Sequence, residues 1–202
     1  MLQPNKTLHE AIDPLHAVTE PHVVVFDMDE TLGHFHLIHL IWESLHKFIT
    51  FNRIPYMIDQ GDFDALLDMF PEMLRPEIIS ILSILHEKKD DGSCSRVMIY
   101  TNNKYSKEWV YLIINYIERK LGGRQLFDNI VLAFKYKGKV QELLRTSKQK
   151  KYIDFVACCK LPSDVKICYF DNTVFPEMER DNVYYLKVRA YCYTFGEAEV
   201  RK

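Results

Sequence analysis

Glycine and proline are scarce in this sequence, seven and eight in 202 residues, and it carries no internal repeat or low-complexity tract. Collagen-like, linker-rich and largely disordered chains are thereby excluded. No apolar run approaches the roughly 18 residues that a membrane-crossing helix requires. Met1 to Glu20 mixes His, Glu, Asp and Pro where a secretory signal would have an apolar centre. The expectation is an intracellular protein, cytoplasmic or nuclear, with no membrane partner. An excess of one charge is missing too: the formal net charge is −2, so no whole-chain field calls for nucleic acid or anionic lipid. The five cysteines, Cys94, Cys158, Cys159, Cys168 and Cys192, form no CxxC pair. Their odd number and irregular spacing suit reduced thiols filling a core better than a disulfide framework or a zinc site.

What is present is an ordinary globular composition, 48% hydrophobic and 27% charged, in a length suited to one α/β domain spanning 1–202. The stretch Val23–Phe26 reads as a buried strand, and it runs into Asp27, Met28, Asp29, Glu30 and Thr31, where no buried strand could continue. Further strands are expected at Arg96–Tyr100, Asn129–Phe134, Val165–Phe170 and Val183–Val188. Helices are expected from Arg75-Pro76-Glu77 to Asp90, from Ser106 to Leu121 and around Ile153–Leu161. Between the first strand and Leu74 the pattern is helical, with Leu37, Leu40, Ile41, Leu45, Phe48 and Ile49 at helical spacing and Asp62 or Asp64 capping a second short helix. Strands alternating with helices imply a parallel sheet of about five strands. The segment 33–74 is then a small helical, cap-like insertion.

Three polar groups fall at the C-terminal ends of three of those strands: Asp27/Asp29/Thr31, Thr101/Asn102 and Asp171/Asn172. In an open parallel sheet that edge is where ligands bind, so the three groups are expected to converge in one crevice. Carboxylate and amide oxygens together suit Mg²⁺, which takes a few protein ligands and leaves room for water and phosphate oxygens. A threonine hydroxyl and backbone N–H groups can hold phosphate oxygens, and a lysine can neutralise the charge that develops in transfer. The chemistry implied is phosphoryl transfer.

DMDET after an apolar strand, YTN at the second strand and FDN at the fourth resemble the haloacid-dehalogenase (HAD) superfamily of aspartate-nucleophile phosphatases. The DETL continuation, the Arg75-Pro76 pair and the DN ending look most like its NLI-interacting-factor-like branch, which includes phosphatases of the RNA polymerase II C-terminal domain. The resemblance covers roughly 23–188 and implies a Rossmannoid three-layer α/β sandwich. It also implies roles. Asp27 would be the nucleophile, forming an aspartyl phosphate, and Asp29 the acid/base, its carbonyl binding the metal. Thr101 would hold the phosphoryl group, with Thr31 and Asn102 in support. Asp27, Asp29, Asp171 and Asn172 would hold Mg²⁺. The family's lysine precedes the fourth strand, where Lys148, Lys150 and Lys151 all qualify; Lys150 is the first choice and Lys151 the second, ahead of Lys135, Lys137 and Lys139.

The expected substrate is a phosphomonoester, on a phosphoserine or phosphothreonine protein if the branch holds. A small metabolite or a nucleic-acid phosphate end is the alternative, and a non-catalytic phosphate-binding scaffold the third reading. The insertion is the main departure, since that region looks short and β-rich in the polymerase-tail enzymes. His39, Glu43 and His46 share a helix face and invite a second metal site, against the commoner reading of a wet face. The basic stretch Lys135–Lys151 reads as a solvated connection, and Tyr184, Tyr185, Tyr191, Tyr193 and Phe195 as packing for the sheet edge.

Overall fold

The computed structural model describes residues 22–194. Its centre is β1 (His22–Phe26), whose alternate residues are buried on opposite faces. Val24 and Phe26 enter one apolar cluster, Val23 and Val25 the other. A strand covered on both faces explains why the sequence shows an unbroken apolar run instead of alternation.

From β1 the chain runs through α1 (His36–Phe51), α2 (Gln60–Asp68), a 3₁₀ turn at Pro71–Met73 and α3 (Ile78–Asp90) before β2 (Arg96–Tyr100). Next come α4 (Lys107–Lys120), β3 (Phe127–Val131), a hairpin of β4 (Lys135–Tyr136) and β5 (Lys139–Val140), α5 (Tyr152–Cys159), β6 (Lys166–Asp171) and β7 (Val183–Lys187). The main sheet is five-stranded in the order β3-β2-β1-β6-β7, every pairing parallel. The expected three-layer α/β architecture is therefore present: residues of α1 to α4 pack on one face of the sheet and α5 on the other. The strand order reverses between β1 and β6, which puts the ligand-binding crevice of such a sheet at their C-terminal ends.

Several boundaries differ from expectation for local reasons. The helix expected to open at Arg75-Pro76-Glu77 starts at Ile78, because Glu77 takes a left-handed conformation (φ 61°) and Arg75 is drawn into other contacts. Asp59 caps α2, accepting from the N–H groups of Gly61 and Asp62 while the Asp62 carboxylate accepts from the Asp59 N–H; Asp64 pairs with Arg119. β3 begins two residues early, at Phe127, across a bulge where Asp128 Oδ2 accepts the Val97 N–H at 2.8 Å. Inside the basic connection, Lys137 and Gly138 both have positive φ and turn a short antiparallel hairpin that the lysines masked.

The insertion shares a core with α4. Phe63, fully buried, meets Trp42, Trp109 and Tyr116 edge-on with ring centroids 5.4 to 6.5 Å apart. Gln60 donates to Leu112 O, and Tyr116 OH to Asp68 Oδ1. All five cysteines are free. Cys192 is exposed, not core filler, because it lies in the segment after β7. Of the aromatic group, Tyr185 packs edge-on against Tyr169, Tyr184 is 63% exposed, and Phe195 lies outside the described residues. No helix among the described residues is long and apolar enough to cross a membrane.

Phe63→Ala should cost about 3–5 kcal/mol in a urea titration, by loss of transfer energy and the cavity left behind. A loss below about 1 kcal/mol would mean that the insertion does not depend on this joint.

Candidate active site

The loop after β1 is shaped before any ligand is considered. Asp27 extends the ladder by donating its N–H to Phe170 O at 2.8 Å, and Leu32 N turns back to Met28 O. Glu30 sits at φ 60°. Gly33 lies where a Cβ would stand 2.5 Å from Met73 O and 2.6 Å from the Phe35 ring, so the close approach requires glycine. Arg75 clamps the loop from outside, donating to the carbonyls of Thr31, Glu30 and Arg189.

Lys150 is 1% exposed, with its Nζ 2.6 Å from Asp27 Oδ1 and 2.7 Å from Asp171 Oδ2. The rings of Tyr100, Tyr169 and Phe175 surround it at 5.3 to 5.7 Å. Lys151 does not enter the site: its ammonium pairs with Glu177 at 3.2 Å. The backbone at Lys151 is extended, and consecutive side chains of an extended chain point to opposite sides, so only one of the two neighbours can reach Asp27. Lys135, Lys137, Lys139 and Lys148 are exposed.

Asp171 was expected in a metal shell, but its carboxylate turns toward the lysine. Oδ2 accepts from Lys150 and from Tyr169 OH at 2.5 Å, and Oδ1 from Thr173 N at 2.7 Å. It shares the face of β6 that carries Ile167 and Tyr169, the face packed against α5. Asn172, one residue on, points the other way, its Oδ1 accepting from Thr31 Oγ1 and its Nδ2 donating to Glu30 Oε2. Thr101 is fully buried, its Oγ1 accepting from Asn103 N at 2.9 Å. Asn102 reaches the cavity wall with its Oδ1 held by Arg145 at 2.7 Å.

Two polar residues in this cluster were not read from the sequence. Asn103 donates to Asp29 Oδ2 at 2.8 Å and accepts from Tyr105 N at 2.8 Å, tying the second carboxylate to the end of β2. Tyr169 supplies the hydroxyl on Asp171. A second consecutive asparagine at a strand end was the available signal for the first; a tyrosine inside an apolar strand gave none for the other.

A cavity of about 570 Å³ opens over these groups, lined by Asp27, Asp29, Glu30, Asn102, Asn103, Lys104, Tyr105 and Asn172 among others. Burial pushes Asp27 up to about 7, against the pull of Lys150 and with further upward pressure from Asp171 and Asp29. Burial also raises Asp29, opposed by the Asn103 hydrogen bond and by Lys150. Asp27, Asp29 and Asp171 thus share one buried cation, and the imbalance is negative. Among the described residues no three His, Cys, Asp or Glu cluster tightly enough to hold a metal by themselves. Asp27, Asp29 and Asn172 nevertheless present hard oxygens to the cavity, a donor set that fits Mg²⁺, which keeps several waters and takes phosphate oxygens. The second metal site does not form: His39 stacks on Tyr105 at 3.4 Å and meets Trp109 edge-on, while His46 packs against Trp42.

No protein-family model and no curated protein sequence matches the chain. Among solved structures, CbbY from Rhodobacter sphaeroides in complex with phosphate aligns with a TM-score of 0.38 at 11% identity, over 83% of this chain and 94% of that one. An Asp-to-Asn variant of CbbY in complex with xylulose-(1,5)bisphosphate gives 0.35 at the same identity and coverage. Superpositions this loose bear on neither family nor activity.

The raised Asp27 has a consequence for stability. A carboxyl that titrates near 7 folded and 3.8 unfolded weakens the native state as pH rises between those values, and imposes nothing below them. In metal-free buffer Asp27→Asn should therefore be more stable than the parent chain at pH 8, on the order of 1–3 kcal/mol, and equal to it near pH 4. Thermal melts across that range check this; a less stable variant at pH 8 would contradict it.

Proposed function

We propose that this protein is a Mg²⁺-dependent phosphomonoester hydrolase working through an aspartyl phosphate, and that its substrates are phosphoserine or phosphothreonine proteins. The observation that carries the reading is the buried lysine bridging Asp27 and Asp171, set beside Asp29 in the order of motifs that resembles the HAD phosphatases.

In this reading Asp27 attacks phosphorus with the carboxylate oxygen that Lys150 does not hold, and the P–O bond to the substrate alcohol breaks. Asp29 gives its proton to the departing alkoxide. Its raised affinity for that proton and its orientation by Asn103 suit the task. Water then attacks the aspartyl phosphate, Asp29 takes the water's proton, and phosphate leaves with Asp27 restored. Lys150 holds Asp27 in place and offsets charge on the phosphoryl oxygens. The polar ends of β2, Thr101 and Asn102, form the phosphate side. Asp27, Asp29 and Asn172 would hold Mg²⁺, which would supply the positive charge that three carboxylates and a phosphoryl group lack.

Support for a macromolecular substrate comes from a second cavity, about 740 Å³, beside the first and sharing Lys104 and Tyr105 with it. His39, Trp42 and Glu43 of α1 and Trp109 and Leu112 of α4 line it. The segment 33–74 is thus read as a side wall, which leaves room for residues flanking a phosphorylated side chain.

Hydrolysis of p-nitrophenyl phosphate with Mg²⁺ tests the chemistry. Lys150→Ala should lower kcat by about 10²–10³-fold while Lys151→Ala stays within a few-fold. Equal losses at both positions would contradict the assignment. A panel of phosphopeptides, sugar phosphates and nucleic-acid phosphate ends tests the substrate: kcat/KM should be highest on phosphopeptides, and a preference for a sugar phosphate would replace the protein reading.

A further inference from the structure

Arg145 is 2% exposed and lies within the connection whose other lysines, Lys150 and Lys151 apart, are exposed. No carboxylate among the described residues pairs with it; its two Nη groups are spent on carbonyl and amide oxygens, while its buried Nε finds no partner. Nη1 donates to Thr101 O at 3.0 Å and Leu132 O at 2.7 Å, and Nη2 donates to Asn102 Oδ1 at 2.7 Å and Lys148 O at 3.2 Å. Its Cζ stands 4.8 Å over the Tyr100 ring, whose other neighbours include Lys150 Nζ at 5.6 Å and whose hydroxyl accepts from Lys151 N at 3.1 Å.

Burying a guanidinium without a counter-ion costs several kcal/mol of desolvation, which an apolar residue of similar size would avoid. Packing alone therefore does not account for an arginine here. What the planar fork does, and an apolar chain or a lysine does not, is bind several acceptors in fixed directions at once. Those acceptors belong to three segments: the end of β2, which carries Thr101 and Asn102, the residue just past β3, and the turn that delivers Lys150.

We propose that Arg145 is a positioning residue of the phosphoryl-transfer site, fixing the phosphate side at Thr101–Asn103 and the approach of Lys150 in one register. The inference rests on the proposed function for its catalytic consequence but not for its structural one. It extends the site to a residue that touches neither substrate nor metal.

The test compares Arg145→Lys and Arg145→Met with the parent chain, by kinetics on p-nitrophenyl phosphate with Mg²⁺ and by hydrogen–deuterium exchange. Both variants should lower kcat by about 10- to 10²-fold, as a displacement of about 1 Å does, with a smaller change in KM. Exchange should rise at 101–105 and 146–151, with α4 and β6 unchanged. Near-parent activity in Arg145→Lys would overturn the proposal, since charge without the fork would then suffice. Unchanged exchange at those two segments, or exchange that rises everywhere in step with lost stability, would overturn it as well. If the parent chain has no phosphatase activity the proposed function fails, and the exchange pattern alone decides whether Arg145 fixes the two segments.

Discussion

Everything in the candidate site depends on the placement of one buried ammonium group between two carboxylates, one of them on the wall of the cavity. Lys150 contacts Asp27 and Asp171 at once, and Asp29 lies close enough to Asp27 to raise its affinity for a proton. Three acids on one base leave the pocket electron-rich, and burial magnifies the imbalance. Such a cluster is poor as a stabilising device, because desolvating its members costs about as much as their attraction returns. In the proposed function it is a socket for added positive charge and for a phosphoryl group that brings its own negative charge.

The fold creates that socket through two choices of chain direction. All five strands of the sheet run parallel, so every strand ends on the same edge, and the order turns back between β1 and β6. The first choice brings the three polar strand ends together; the second opens the gap in which they meet. Clamps then fix the loops: Arg75 on the carbonyls after β1, Asn103 between Asp29 and Tyr105, and Arg145 across the ends of β2 and β3. Each is a polar side chain holding backbone, amide or carboxylate groups that lie beyond the reach of the sheet ladder.

Much of this was legible in the sequence because it follows from periodicity and abrupt change. An apolar strand that stops on paired carboxylates announces a strand end, and three such ends in order announce an edge. The parallel sheet, the helical insertion and the convergence of Asp27, Asp29 and Asn172 follow from that. The orientation of individual side chains was not legible. Whether Lys150 or Lys151 turns inward depends on the phase of a short extended segment, and a one-residue slip would exchange them. Asp171 and Asn172 divide between the lysine and the cavity for the same reason. The hairpin at Lys135–Val140 was hidden by its charge, and Arg145 by its neighbours: among seven basic residues in one connection, no local pattern marks Arg145 and Lys150 as the two that are buried.

The proposed chemistry turns on which carboxylate accepts the phosphoryl group. A crystal grown with Mg²⁺ and beryllium fluoride, a mimic of an acyl-linked phosphoryl group, tests that directly. Tetrahedral density bonded to a carboxylate oxygen of Asp27 is expected, with Lys150 in contact and the cation beside Asp29 and Asn172. Density bonded to any other residue, Asp29 or Asp171 included, would contradict it.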